Sequence, residues 1–236
     1  KVKFHSPYST ILSGGPMPET IWFDGATLNY AEHVFMGMKD QEVALLFANE
    51  QGVDMSVSVS EMWREVTKLQ RYFKTHGVRR GDRIAGYLPN IPQATYAFLA
   101  ATSLGAIWSC CSQDFGVSSV VDRFAQIEPV LFIAADGYYY NGKTHTRLEE
   151  IDAVRQSLQG LRDTLLINYT GAVRDEVKSG ITIYDTLIDG NDEDLDNNDD
   201  DNDDNDDDED VVEEVDDSEQ STTAINRALT QDSSTT

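Results

Sequence analysis

Apolar residues along this chain come in two rhythms. Val43 to Ala48, Ile84 to Leu88, Ala106 to Ser109, Val130 to Ala134 and Thr164 to Ile167 are short apolar runs suited to strands. Between them the spacing is helical. Met62, Val66, Leu69 and Phe73 follow Ser58 and Glu61, a capping-box pair, and Gly77 supplies the stop. Pro92 to Leu104 reads as a second helix with proline in its first turn. Val117, Val120, Val121, Phe124 and Ile127 give a third before Pro129, and Arg147 to Leu158 a fourth before Gly160. A further strand, Met55 to Val59, follows the Gln51-Gly52 turn.

Strands separated by single helices predict right-handed βαβ crossovers and a parallel sheet, so the expected fold class is α/β. No charge occurs from Ile84 to Gln113, as expected of elements covered on all sides. Ligands in such sheets lie beyond the carboxyl ends of the strands, which points to the loops Pro89 to Ile91, Cys110 to Gly116 and Ala135 to Thr144. Residues 1–42 read as a loop-rich packing arm, 43–190 as an incomplete α/β domain and 191–236 as a disordered Asp/Asn-rich tail.

Charge changes the picture only at the tail. Residues 191–236 hold 20 of the 42 acidic groups and one of the 18 basic ones. Residues 1–190 therefore carry 22 acids against 17 bases, without the basic stripe that nucleic-acid binding needs. The tail lacks the glycine and terminal glutamate of a calcium loop. Pro89, Asn90, Pro92, Gln93 and Gly105 interrupt the uncharged stretch, so no membrane span is expected. The adjacent Cys110 and Cys111 offer no metal spacing and suit free thiols in the cytoplasm. An uncovered sheet edge would favour self-association.

Gly137 to Thr144 matches the phosphate-loop pattern G-x-x-x-x-G-K-[ST] and lies between an expected strand and an expected helix. Three successive tyrosines crowd such a loop, and no later strand ends in a Mg²⁺-binding aspartate. A nucleotide-hydrolase loop, a phosphate contact by Lys143 in another geometry and a plain surface lysine are the readings open. Asp82-Arg83 and Asp122-Arg123 suit local ion pairs more than catalysis. The four histidines form no spaced pair for a metal.

Taken together, several segments resemble one family. They are Trp22 to Glu32, Gly77-Val78 with Gly81-Asp82-Arg83, Leu88-Pro89-Asn90, Ser103 to Ser109, Asp114-Phe115-Gly116, Asp122-Arg123-Phe124, Gln126 to Pro129, and Gly137-Tyr138 through Gly142-Lys143. Over residues 3–185 the chain is similar to the acyl-adenylate-forming, AMP-dependent synthetases, and within them to the branch that ligates acetoacetate to CoA. The resemblance implies ATP, CoA and Mg²⁺ as cofactors and acetoacetate as the small-molecule substrate. It also implies that Lys143 meets the CoA phosphates, that Ser112, Gln113 and Asp114 line the approach, and that Tyr138 or Tyr140 stacks on the adenine. The family's Ser/Thr/Gly-rich phosphate loop, adenine-binding strand and C-terminal lid have no counterpart in these residues. The expectation is an N-terminal portion, inactive by itself, with no catalytic residue and no metal ligand; the alternative is a non-enzymatic CoA- or nucleotide-binding domain whose acidic tail engages partners.

Overall fold

The computed structural model describes residues 2–173 and 178–187, so the acidic tail expected beyond residue 190 lies outside the described residues. The N-terminal arm is more structured than its turn-rich sequence suggests. It contains an antiparallel hairpin, β1 (Thr10–Gly14) and β2 (Thr20–Asp24), and a short helix α1 (Tyr30–Phe35) capped by Asn29. Ala31 and Phe35 carry α1 into the core.

A second hairpin, β3 (Val43–Ala48) with β4 (Asp54–Ser58), leads directly into α2 (Val59–Thr75). Both halves of the capping box form: Ser58 Oγ accepts from the Glu61 amide, and Glu61 accepts from the Ser58 amide at 2.8 Å. Gly77, at φ 68°, ends the helix in a Schellman arrangement. Its amide donates to Lys74 O and that of Val78 to Phe73 O.

Five strands then form one sheet: β5 (Arg83–Tyr87), β6 (Ile107–Cys111), β7 (Leu131–Ala135), β10 (Asp163–Ile167) and β11 (Ile181–Ile183). Their spatial order is β11-β10-β7-β5-β6, and every neighbouring pair is parallel. The expected α/β class and parallel sheet are therefore what the chain adopts. The helices α3 (Pro92–Ser103), α4 (Val117–Ala125) and α5 (Leu148–Ser157) connect them. The hairpin β8 (Gly137–Tyr140) and β9 (Lys143–Thr146) stands between β7 and α5.

Alternation along each strand feeds two cores. Ile84, Leu131, Ile133 and Leu165 pack with α1, α2 and α3, while Ala85, Phe132, Ala134 and Leu166 pack with α4 and α5. Because α3 lies between the sheet and its neighbours α1 and α2, it buries small residues such as Ala97, Ala100 and Ala101 and carries no charge. Arg83 donates to the carbonyls of Ile127 and Glu128 at 2.6 and 2.7 Å, and Asp82 pairs with Arg162 at 3.2 Å. These contacts replace the local pairing expected within Asp82-Arg83.

Candidate functional site

The connection leaving β5 runs over one face of the sheet through α3, and the one leaving β7 runs over the other through α5. The carboxyl ends of these adjacent strands therefore form a switch point, where a parallel sheet opens a crevice. Four segments meet there: the turn after Tyr87, Ser112 to Gly116 after β6, the β8–β9 hairpin after Asp136, and the loop after Ile167.

Gln113 crosses that end of the sheet. It is 1% exposed, and its Nε2 donates to Ala135 O at 2.5 Å. Its Oε1 is buried with no hydrogen-bond partner among the described residues. Its backbone carbonyl accepts from Tyr87 OH and from Arg147 Nε, both at 3.0 Å. The single Tyr87 hydroxyl proton is shared between this carbonyl and Phe115 O, 2.7 Å away, and burial pushes this phenol up to about 12. Tyr87 thus serves as a neutral donor that fixes the loop. Ser112 and Asp114 flank Gln113 and are exposed.

Asp136 is wholly buried and organises the loop after β10. Its carboxylate accepts from the amides of Thr170 and Ala172 at 2.8 and 2.7 Å and from Thr170 Oγ1 at 2.8 Å. The Asp136 amide donates to Ile167 O at 2.9 Å. With three donors on its carboxylate, Asp136 acts as a local staple.

The phosphate-loop pattern is overturned here. Gly137 to Thr144 is mostly strand, with Tyr138 opposite His145 and Tyr140 opposite Lys143. Asn141 and Gly142, at φ 51° and 71°, form the two-residue turn between them. In an antiparallel pair the amides alternate between the partner strand and the outside, so consecutive ones do not converge on a single phosphate. A Cβ at Gly137 would collide with the His145 carbonyl, so the first glycine of the pattern serves close strand approach.

The predicted residues divide into two groups. Ser112, Gln113, Asp114 and Tyr138 come together at the carboxyl end of the sheet. Lys143 and Tyr140 lie side by side near the hairpin turn, both exposed, Tyr140 at 68%. The Tyr138 ring is already engaged: His145 stacks on it at 5.0 Å and the Arg147 guanidinium lies 5.2 Å from its centre. Arg147 and Asp136 were not singled out by sequence, because an isolated charge in a polar stretch carries no pattern.

At the opposite end of the sheet a cavity of about 350 Å³ lies between the arm and the α3–β6 turn, lined partly by His5, Asn29, Tyr30 and Ser103. Its polar groups include several that are already paired within the fold. Asn29 donates to Ser103 O at 2.9 Å and accepts from the Glu32 amide, while His5 contacts Glu32 at 2.5 Å. It is a packing seam. Among the described residues no cluster of three His, Cys, Asp or Glu side chains could hold a metal, and no helix is long and apolar enough to cross a membrane.

A parallel sheet with this switch point defines an α/β domain with a ligand crevice at its carboxyl end, and residues 36–218 match the model of the AMP-binding enzymes. The chain belongs to that family. Among its relatives it is 42% identical to acetoacetyl-CoA synthetase of Xenopus tropicalis over 149 residues, which is 63% of this chain and 22% of that protein. Acetoacetyl-coenzyme A synthetase of Rhizobium meliloti is 37% identical over 188 residues, 78% of this chain and 28% of that protein. In solved structures, acetoacetyl-CoA synthetase from Streptomyces lividans superposes with a TM-score of 0.74 at 42% identity, covering 79% of this chain and 29% of that one. The chain thus spans about a quarter of the length of these relatives.

Proposed function

We propose that this chain forms the N-terminal portion of a ligase that joins acetoacetate to CoA through an acyl-adenylate. The observation that carries the reading is the continuous similarity, at 37–42% identity, to synthetases named for that product, over the same parallel sheet. When bound, ATP would supply the adenylate that activates the acid and CoA the thiol that takes the acyl group.

The residues present suit the CoA side better than the adenylation step. Lys143 offers an exposed ammonium for a phosphate, and Tyr140 an exposed ring for the adenine. Of the two tyrosines weighed for stacking, Tyr138 is occupied by His145 and Arg147, so Tyr140 takes that role. Gln113, buried and tied to Ala135 O, shapes the loop that carries Ser112 and Asp114. Ser112 and Asp114, exposed on either side, line the approach. ATP and Mg²⁺ come to this reading by family resemblance alone, and no described residue is assigned to either. The cytoplasm is the compartment proposed, since exposed Cys110 and buried Cys111 are both free.

A chimera tests this. Residues 2–187 replace the homologous stretch of the Streptomyces lividans protein, and acetoacetate-dependent formation of the CoA thioester is assayed. Retained turnover is expected, with no ATP–pyrophosphate exchange from the 236-residue chain alone. A chimera that folds and stays inactive with acetoacetate would overturn the reading.

A further inference from the structure

We propose that Arg147 is the positioning residue that holds the β8–β9 hairpin, and with it Lys143 and Tyr140, against the loop that follows β6. Its link to CoA rests on the function proposed above, whereas the holding itself rests on geometry alone.

Arg147 stands where the hairpin returns to the body of the domain. Its backbone amide donates to Asp136 O at 2.7 Å, and its own carbonyl accepts from the Ile151 amide at 2.8 Å in the first turn of α5. Entry and exit of the hairpin are thereby joined, and the backbone that carries the guanidinium is fixed on both sides. The side chain is 22% exposed and reaches three acceptors at once: Gln113 O at 3.0 Å, Tyr138 OH at 3.1 Å and Glu150 Oε1 at 2.7 Å. Glu150, one turn into α5, orients the fork. The guanidinium carbon also lies 5.2 Å from the centre of the Tyr138 ring, whose stacking on His145 links the two hairpin strands.

The acceptor on the other side is itself held. Gln113 O also receives Tyr87 OH from the central strand β5, and the Gln113 side chain is tied to β7. Arg147 therefore connects a two-stranded hairpin, an element marginal by itself, to a loop fixed on the sheet. The other contacts of the hairpin are lighter. The Gly142 amide meets Glu50 Oε1 at 3.3 Å near the exposed tip, and Tyr139 lies edge-on to Tyr169 at 5.3 Å. Without Arg147 the strands stay paired to each other but lose their main tie to the β6 loop, so Lys143 and Tyr140 shift as a unit. Lysine cannot substitute, because one ammonium does not span Gln113 O, Tyr138 OH and Glu150 Oε1 at once.

Amide hydrogen exchange of the 236-residue chain tests the holding. In Arg147→Ala, amides of residues 138–146 should exchange roughly tenfold faster while those of β7 and β10 keep their protection. Arg147→Lys should behave like the alanine variant. Tyr138→Phe, which removes a single acceptor and keeps the ring, should give about a threefold rise and serves as the test should Arg147→Ala unfold the domain. Unchanged exchange in the hairpin, or full recovery by lysine, overturns the proposal. In the active chimera, Arg147→Ala should raise KM for CoA and leave acetoacetate-dependent ATP–pyrophosphate exchange, which precedes CoA, unchanged. A loosened hairpin with an unaltered KM overturns the link to CoA while leaving the ligase reading intact; a chimera inactive before any substitution, with the hairpin still loosened by Arg147→Ala, overturns the ligase reading and supports the holding.

Discussion

Leu131 to Ala135 and Ile21-Trp22-Phe23 are both short apolar runs, yet every residue of the first is buried and all three of the second are exposed. The difference lies in what covers each strand. β7 has β5 and β10 at its sides and helices above and below, so its alternating side chains enter two cores. β2 has one neighbour, β1, and neither face of the pair is closed by a helix. Burial is therefore set by how many sides the topology closes, and local hydrophobicity states only what could be buried. The stability of the domain should accordingly reside in the sheet, with the arm attached through α1 and a few polar ties.

The largest effect that would test this comes from the sheet. Phe132 is fully buried in β7 on the α4/α5 side, its ring 6.3 Å from that of Phe124. Phe132→Ala removes most of an aromatic side chain from between rigid elements and should cost about 3–5 kcal/mol, read from the midpoint of denaturant unfolding. A loss under about 1 kcal/mol would mean that this side of the sheet collapses around the gap and is not the rigid body described.

How much of this was legible follows the same division. Uncharged runs and helical spacing gave the five connected elements from β5 to β7, and the Ser58 and Glu61 pair gave the start of α2, because fully covered parallel strands and caps impose local composition. The β3–β4 hairpin was legible as two strands about the Gln51-Gly52 turn, whereas β1–β2 and β8–β9 were not. Tyr138-Tyr139-Tyr140 and Lys143-Thr144 look like a glycine-framed loop, and only the register with His145 and Thr146 makes them strands. β11, three half-buried residues, has no pattern of its own and is defined by pairing with β10. At the candidate site, topology pointed to the loop from Ser112 to Asp114. The ties that shape it, Asp136 to Thr170 and Arg147 to Gln113, join residues 34 positions apart and leave no trace in spacing.

A smaller effect should come from the tie that attaches the arm. Glu32, buried on α1, meets Lys3 Nζ at 2.6 Å and His5 Nε2 at 2.5 Å. Burial pushes its carboxyl up, but the hydrogen bonds and charges of Lys3 and His5 outweigh this and hold it below the ordinary value of 4.5. A carboxyl depressed in the folded state contributes stability above its unfolded value and loses it as pH falls through the folded one. Stability should therefore fall as pH is lowered from about 5 to about 3 through this group, and Glu32→Gln should flatten that part of the profile. Parallel profiles for the two proteins would detach the arm from this carboxylate.

The smallest effect sharpens the comparison from its exposed side. Trp22 is 61% exposed, and the residue opposite it in the hairpin, Leu12, is 56% exposed. A cross-strand pair that remains wet on both members contributes little, since most of the area it could remove from water stays hydrated. The aromatic cluster beside it, Tyr8 with Phe4 and Phe23 at 5.7 and 5.5 Å, does not use the indole. Trp22→Ser should therefore shift unfolding stability by no more than about 0.5 kcal/mol, at an unchanged denaturant slope, although a large apolar side chain has been deleted. A cost above about 1 kcal/mol would show that Trp22 is covered in solution, and the arm would then belong with the sheet as a second buried layer.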